Sequence, residues 1–192
     1  MTERANVPTL PEGPVTIMFT DIEGSTSLRT SLGDAETDAL FRQHDEIVRA
    51  LVAEHNGYDQ HAALGDGFLV VFVSTKRALA CAIAIQRALA RRNADRPDCP
   101  LAVRMGLHCG PALRRGTDFF GRNVVVAARI AAQARGGEIL ASAELCELVG
   151  ITDGELSELA LKGLRGTQRV HAVAWAPDSV VTEGDLVQRE RL

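Results

Sequence analysis

Two aspartates stand in sequence settings where a carboxylate is a poor core residue and a good metal ligand. Asp21 follows the β-branched, apolar run 15–19, which predicts a buried strand. Asp66 lies between two glycines, and runs of strand type flank it at 58–64 and 68–73, which predicts a hairpin turn. Either aspartate alone would be read as an ordinary turn residue. The pair indicates a divalent-metal site.

The residues after Asp21 suit contact with an anion. Gly24 is followed by three hydroxyl side chains, beginning with Ser25 and Thr26. This composition favours a tight backbone turn whose N–H groups face an anion. A metal and an anion at one place predict a phosphorylated substrate.

The elements that position these residues follow from hydrophobic periodicity and from glycine and proline. Strand one ends near Thr20, and a hairpin carries Asp66. We predict helices over 34–56 and 75–92, a strand over 101–109 and a further helix over 120–134. The order βαββαβ predicts an α+β fold with a ferredoxin-like core and additional C-terminal helices and strands. In that topology the end of strand one neighbours the hairpin turn, so Asp21 and Asp66 should lie side by side.

Composition excludes several classes of protein. The chain has 192 residues, of which 46% are hydrophobic, so one domain with an ample core is expected. The net charge of −4 and the scattered basic residues argue against a nucleic-acid partner. No apolar run is long enough to cross a bilayer, and no signal peptide is recognisable. Because the four cysteines are widely spaced, they predict reduced thiols in a cytoplasmic protein.

The chain divides into three parts. Residues 1–13 predict a flexible leader, 14–175 the folded domain, and 176–192 a polar tail or a linker to a regulatory domain outside this chain.

Five motifs together resemble the catalytic domain of the class III adenylate and guanylate cyclases. They are FTDIEGST from Phe19, LGDGF from Leu64, RMGLHCG from Arg104, DFFGRNVVVAARI from Asp118 and LKGL from Leu161. Their order and spacing match the family, and the resemblance covers 14–175.

The resemblance implies a two-metal site. In that family both aspartates, here Asp21 and Asp66, hold two Mg²⁺ or Mn²⁺ ions, with help from the carbonyl of the next residue, here Ile22. Backbone N–H groups of Gly24, Ser25 and Thr26 would face the triphosphate.

Three further residues gain roles from the resemblance. Arg129 would stabilise charge during phosphoryl transfer, a role that suits a planar, permanently charged side chain better than that of an ordinary exposed arginine. Asp118 would accept a hydrogen bond from the adenine amino group, which favours ATP over GTP. Two interpretations of Lys162 stay open: it contacts the terminal phosphates, or it is an ordinary surface lysine.

Two positions depart from the family. A purine-reading lysine is replaced by Ala62, and a sugar-orienting asparagine is replaced by Val125. Gln60 lies two residues back on the same strand face and is a partial substitute for the lysine. Asn123 on a helix would point to a different side from position 125.

The resemblance therefore implies a homodimeric class III cyclase that converts ATP to cyclic AMP and pyrophosphate with low activity. Arg129 would complete the site of the partner subunit. The alternative is a degenerate cyclase-homology domain that binds nucleotide or a partner without turnover. Ala62 and Val125 support that alternative.

Overall fold

The computed structural model describes residues 13–60, 66–151 and 154–176. The strands within these ranges are β1 Pro14–Ile22, β2 Tyr58–Gln60, β3 Phe68–Phe72, β4 Val103–Pro111, β5 Leu113–Arg115, β6 Asp118–Phe120, β7 Ile139–Ser142, β8 Leu156–Ala160 and β9 Thr167–Ala172. The helices are α1 Ser25–Leu32, α2 Asp34–Glu54, α3 Thr75–Asp95, α4 Arg122–Ala131 and α5 Ala143–Val149.

The strands form a seven-stranded sheet in the order β2-β3-β1-β4-β7-β9-β8, and β5 and β6 form a separate hairpin. β1 pairs antiparallel with both β3 and β4. The first four strands of the sheet, with α2 and α3 between them, are the predicted βαββαβ arrangement. The ferredoxin-like core and its C-terminal additions are confirmed.

The sheet is buried on both faces, as the alternation of side chains along β1 shows. Met18 packs into a core with Val48 of α2 and Leu79 of α3. Ile17, on the opposite face, packs with Ala127 of α4. Asp21 shares the parity of Ile17, so its side chain lies on the α4 face of the sheet.

Gly106 allows α4 to pack unusually close to the sheet. A Cβ atom at this position in β4 would lie 2.1 Å from the backbone nitrogen of Ala131 and 2.7 Å from the carbonyl oxygen of Ala127. Both atoms belong to the helix backbone and cannot move without the helix. Glycine therefore permits the helix backbone to rest on β4.

Several element boundaries differ from those predicted. The predicted anion-binding turn after Asp21 continues into α1, a helix that was not predicted. α1 has no fully buried residue, and its apolar pattern is limited to Leu28 and Leu32, which are partly buried against the core, so the pattern is too short to predict a helix. The predicted helix over 34–56 ends at Glu54, and that over 120–134 is α4, which spans ten residues.

Most of the predicted leader and tail lies outside the described residues, and so does Ala62. Among the helices that are described, none combines the length and the apolar character needed to span a membrane.

Two histidines are buried within the domain. His44 of α2 is fully buried and stacks at a tilt against Phe68, with 5.7 Å between ring centroids. His108 of β4 lies between Ser142 Oγ at 2.9 Å and Asn123 Oδ1 at 3.2 Å. Burial is the main cause that lowers the pKa of both rings below the ordinary value of 6.5.

These lowered pKa values predict that acid destabilises the fold. Above pH 6.5 both rings are neutral in the folded and unfolded chain, so their contribution to stability is complete. As pH falls below 6.5, the two histidines bind protons in the unfolded chain but not yet in the folded chain. The free energy of unfolding therefore decreases until the pH reaches the pKa values of the folded chain. Each ring contributes a slope of at most about 1.4 kcal/mol per pH unit.

Urea unfolding between pH 8 and pH 5 measures this slope. We expect His44→Gln and His108→Gln each to flatten it, after normalisation to each variant's own stability at pH 8. If the free energy of unfolding depends on pH equally in both variants and the parent protein, the two histidines are not the cause of the loss in acid.

Candidate active site

The end of β1 and the turn before β3 meet at one edge of the sheet. Thr20 is the register partner of Phe68, and its hydroxyl accepts a hydrogen bond from the Phe68 backbone N–H at 3.2 Å. Gly67 passes so close that a Cβ atom there would lie 2.3 Å from the Thr20 carbonyl oxygen. Asp21 and Asp66 flank this contact along the chain, and the proximity of their carboxylates stays a prediction.

Asp66 has an unsatisfied carboxylate oxygen. Its Oδ2 atom is buried and has no hydrogen-bond partner among the described residues. Since buried polar atoms nearly always have a partner, such an orphan requires an explanation. A carboxylate oxygen is a preferred ligand of Mg²⁺ and Mn²⁺, so a bound cation would satisfy it.

The donor set fits a cation that keeps other ligands. Over the described part of the chain, no cluster of three or more His, Cys, Asp or Glu side chains could hold a metal alone. Mg²⁺ is commonly bound by one or two carboxylates together with water and substrate phosphates. Asp21, Asp66 and the carbonyl of Ile22 match that pattern, in which the phosphates supply the remaining oxygens.

Arg104 is a residue of this site that sequence reasoning missed. It is the register partner of Asp21 on β4. Its Nε donates to Asp21 Oδ2 over 2.7 Å, and its Nη2 donates to the same oxygen. The signal was present in the RMGLHCG motif, but only the antiparallel register of β1 and β4 assigns this arginine to Asp21.

A small cavity opens beside the ion pair. Its volume is about 170 Å³, and its lining is formed by residues of β1, the hairpin turn, β4 and α4: Phe19, Thr20, Asp21, Gly67, Arg104, Ala128, Ala131 and Ala132. The close approach of α4 at Gly106 places the three alanines in the same cavity lining as Asp21. Their small side chains leave room for a ligand next to Asp21.

The start of α1 presents open backbone donors next to Asp21. Gly24 adopts a left-handed conformation, with φ of 70°, and its carbonyl accepts from the N–H of Leu28. Within the described chain no side chain caps the first turn, and that turn contains no acidic residue. The N–H groups at the start of a helix attract anions, so Ser25 and Thr26 lie where an anion can be bound.

Arg129 lies on a different side of α4 from the cavity. Ala128 and Ala132, four residues apart, line the cavity, whereas Val125 and Arg129 share an adjacent, exposed side of the helix. Arg129 is thus outside the described lining of the cavity beside Asp21 and directed towards solvent in a single chain.

Asp118 and Lys162 are also exposed and lie outside that lining. Asp118 begins β6, where Thr117 Oγ1 donates to its carboxylate at 3.5 Å. Lys162 follows the buried Leu161 in the loop between β8 and β9. One chain therefore carries both aspartates at this edge of the sheet but leaves Asp118, Arg129 and Lys162 on its surface.

Gln60 and Asn123 already have backbone partners. The Gln60 side-chain oxygen accepts a hydrogen bond from the Phe119 backbone N–H at 2.7 Å, and Gln60 is 9% exposed. Asn123 donates to the Pro111 carbonyl at 2.7 Å and faces His108. Asn123 points away from the side of Val125, as predicted. Gln60 is better described as a brace for the β5–β6 hairpin, which carries Asp118, than as a substitute for the missing lysine.

Comparison with known proteins agrees with this geometry. Residues 7–174 match the family described as the adenylate and guanylate cyclase catalytic domain. A curated relative named putative adenylate cyclase 3, from Rhizobium meliloti, is 33% identical over 177 residues, which are 91% of this chain and 30% of the relative. The chain spans less than a third of the length of the first curated relatives that it matches.

Solved structures share the fold. A Trypanosoma brucei adenylate cyclase, solved in its monomeric state, has a TM-score of 0.74 at 23% identity, covering 90% of this chain and 94% of its own. An adenylate/guanylate cyclase/hydrolase from Silicibacter pomeroyi has a TM-score of 0.70 at 29% identity, covering 86% and 98%. With the family match over most of its length, the chain belongs to the catalytic domains of the class III adenylate and guanylate cyclases.

Proposed function

We propose that this chain is an adenylate cyclase domain that converts ATP to 3′,5′-cyclic AMP and pyrophosphate slowly, at composite sites of a homodimer. The observation that carries this proposal is the pairing of β1 with β3, which puts Asp21 and Asp66 at one edge of the sheet, together with an Asp66 oxygen that is buried and has no hydrogen-bond partner among the described residues. Two carboxylates at this edge repel each other, and cations relieve that repulsion.

The proposed site divides the work among this chain's residues. Asp21, Asp66 and the Ile22 carbonyl would hold two divalent cations, either Mg²⁺ or Mn²⁺. When bound, the cations lower the pKa of the ribose 3′-hydroxyl and hold the triphosphate. The N–H groups of Gly24, Ser25 and Thr26 orient the phosphate oxygens at the start of α1.

The charge that develops on the α-phosphoryl group needs a positive group at the opposite side. Arg129 supplies it from the partner subunit, because in one chain it lies outside the described lining of the cavity. The 3′-hydroxyl gives up its proton to water, and its oxygen bonds to the α-phosphorus while the bond to the pyrophosphate oxygen breaks. Lys162 contacts the terminal phosphates as pyrophosphate leaves.

Exposed apolar side chains on the β5–β6 hairpin and on α4 support dimerisation. Leu113 and Phe120 form a cross-strand pair of the β5–β6 hairpin and are 63% and 37% exposed. Val125, one turn of α4 before Arg129, is 44% exposed. Adjacent exposed apolar residues of this kind typically mark an interface. A twofold contact over this surface would pair each Arg129 with the other chain's aspartates.

Asp118 supports ATP over GTP. An ionised carboxylate can only accept hydrogen bonds, so it recognises the adenine amino group but not the guanine carbonyl. The Rhizobium meliloti relative carries the name of an adenylate cyclase. We therefore assign ATP as the preferred substrate.

The second candidate is a degenerate cyclase fold without turnover. Ala62 and Val125 lack the polar side chains that the family has at these positions. The side-chain amides of Gln60 and Asn123 already form hydrogen bonds to backbone atoms. These observations favour weak nucleotide recognition in either candidate. A cytoplasmic location, the lack of a nucleic-acid or membrane partner and a regulatory domain outside this chain stay predictions.

The aspartate pair should be essential for turnover. We expect purified protein to form cyclic AMP from ATP, faster with Mn²⁺ than with Mg²⁺, because Mn²⁺ tolerates looser geometry. Asp21→Ala and Asp66→Ala should each lower the rate at least about a hundredfold while retaining the parent's circular dichroism. Chromatographic detection of cyclic product is the measurement, and full activity in either folded variant would contradict the metal assignment.

Restoring the family's polar groups should improve use of ATP. Each hydrogen bond contributes on the order of 1 kcal/mol, so Ala62→Lys with Val125→Asn should raise kcat/KM for ATP about tenfold or more. Asp118→Asn is the matched variant, because its amide both donates and accepts and should weaken the preference for ATP over GTP. A double variant as slow as its parent would favour the degenerate candidate.

Mixed dimers test whether the site is shared between subunits. Asp66→Ala and Arg129→Ala should each be inactive alone. In a mixed dimer, one site carries both substitutions and the other carries neither. Random pairing makes half the dimers mixed, so about a quarter of parental activity should return on co-expression. Absence of recovery in mixed dimers isolated through two different tags would mean that one chain builds the whole site.

A further inference from the structure

The contact between Arg104 and Asp21 occupies an oxygen that a cation would need. Two of the three guanidinium nitrogens, Nε and Nη2, donate to the same atom, Asp21 Oδ2. The two side chains are 30% and 34% exposed, so water only partly screens the pair. Charge-assisted hydrogen bonds at such a site are among the stronger ones in proteins.

The two aspartates are therefore in unequal states. The guanidinium of Arg104 balances the negative charge of Asp21, whereas Asp66 Oδ2 has no hydrogen-bond partner among the described residues. A divalent cation held by both carboxylates would meet the positive charge of Arg104 directly beside Asp21. Two positive charges on one carboxylate oxygen repel strongly where water is partly excluded.

The cavity gives the Arg104 side chain room to move away from Asp21, but its described lining holds no second carboxylate with which Arg104 could pair. Three alanines and Gly67 surround it, and Asp21 is the one acidic residue in its described lining. In the absence of a ligand, the guanidinium thus stays on Asp21. When it moves, small side chains do not obstruct it.

We propose that Arg104 is a built-in substitute for the cation at Asp21, and that cation binding and departure of Arg104 from Asp21 are one coupled exchange. This inference rests on the proposed metal site. Arg104 acts here as a positioning residue: it keeps Asp21 oriented without metal, and it weakens the affinity of the nucleotide-free protein for divalent cations.

The first test is Mn²⁺ affinity without nucleotide, measured by electron paramagnetic resonance of free Mn²⁺. Arg104→Gln should bind Mn²⁺ about tenfold more tightly than the parent, the change expected from removing one competing charge-assisted hydrogen bond. Arg104→Lys keeps the positive charge but loses the contact through two nitrogens, so its Mn²⁺ affinity should lie between those of the parent and Arg104→Gln. Arg42→Gln removes the same charge from an exposed ion pair with Asp38 and should change nothing.

The outcomes separate this inference from the proposed function. Asp66→Asn should abolish tight Mn²⁺ binding in both the parent and the Arg104→Gln background. If it has no effect in either, the metal site itself is wrong. If Asp66→Asn abolishes binding but folded Arg104→Gln binds no more tightly than the parent, the site stands and the exchange is overturned. Should Arg104→Gln fail to fold, Arg104→Lys carries the same comparison.

A second readout follows Arg104 itself. In protein labelled with ¹⁵N-arginine, the Nε–H signal absent from Arg104→Lys belongs to Arg104. We expect Mg²⁺ to shift that signal and to speed its exchange with water, with the same midpoint as Mg²⁺ binding. An unchanged signal at saturating Mg²⁺ would show that Arg104 stays on Asp21 and would overturn the proposal.

Discussion

The proposed site depends on one constraint: two carboxylates must be held at the same edge of a sheet. The antiparallel pairing of β1 with β3 brings the end of one strand to the turn before the other. Gly67 permits the closest part of that approach, because a larger residue would collide with the Thr20 carbonyl. The fold thereby opposes charge repulsion with strand pairing and leaves Asp66 with an oxygen that no described residue satisfies.

The other side of the site depends on how closely α4 approaches the sheet. Gly106 lets the helix backbone rest on β4, and the helix then presents alanines to the cavity and Arg129 to solvent. In the proposed homodimer, the same helix would line the cavity of its own chain and offer Arg129 to the other chain. This proposal accounts for the position of Arg129 outside the described cavity lining.

Much of this architecture could be predicted from the sequence, because it depends on local patterns and on one topology. Apolar runs identified the core strands, and the βαββαβ order alone implied that Asp21 and Asp66 are neighbours. α1 escaped prediction because its apolar side consists of only two leucines, Leu28 and Leu32, among serines and threonines.

Long-range partners were the least predictable part. Arg104 contacts Asp21 only through the register of β1 with β4, and Gln60 reaches a backbone N–H fifty-nine positions away. Such contacts depend on packing between distant segments, which sequence spacing does not encode. They nonetheless decide the chemistry, because they determine which polar groups remain available to a nucleotide.

The most direct test of this account is the position of Mn²⁺ in crystals grown with a non-reactive ATP analogue, located by anomalous diffraction. The account predicts anomalous density in contact with the carboxylates of both Asp21 and Asp66, with Arg104 no longer on Asp21 Oδ2. Bound analogue with Mn²⁺ elsewhere, or with Arg104 still paired to Asp21 and no metal at either aspartate, would contradict it.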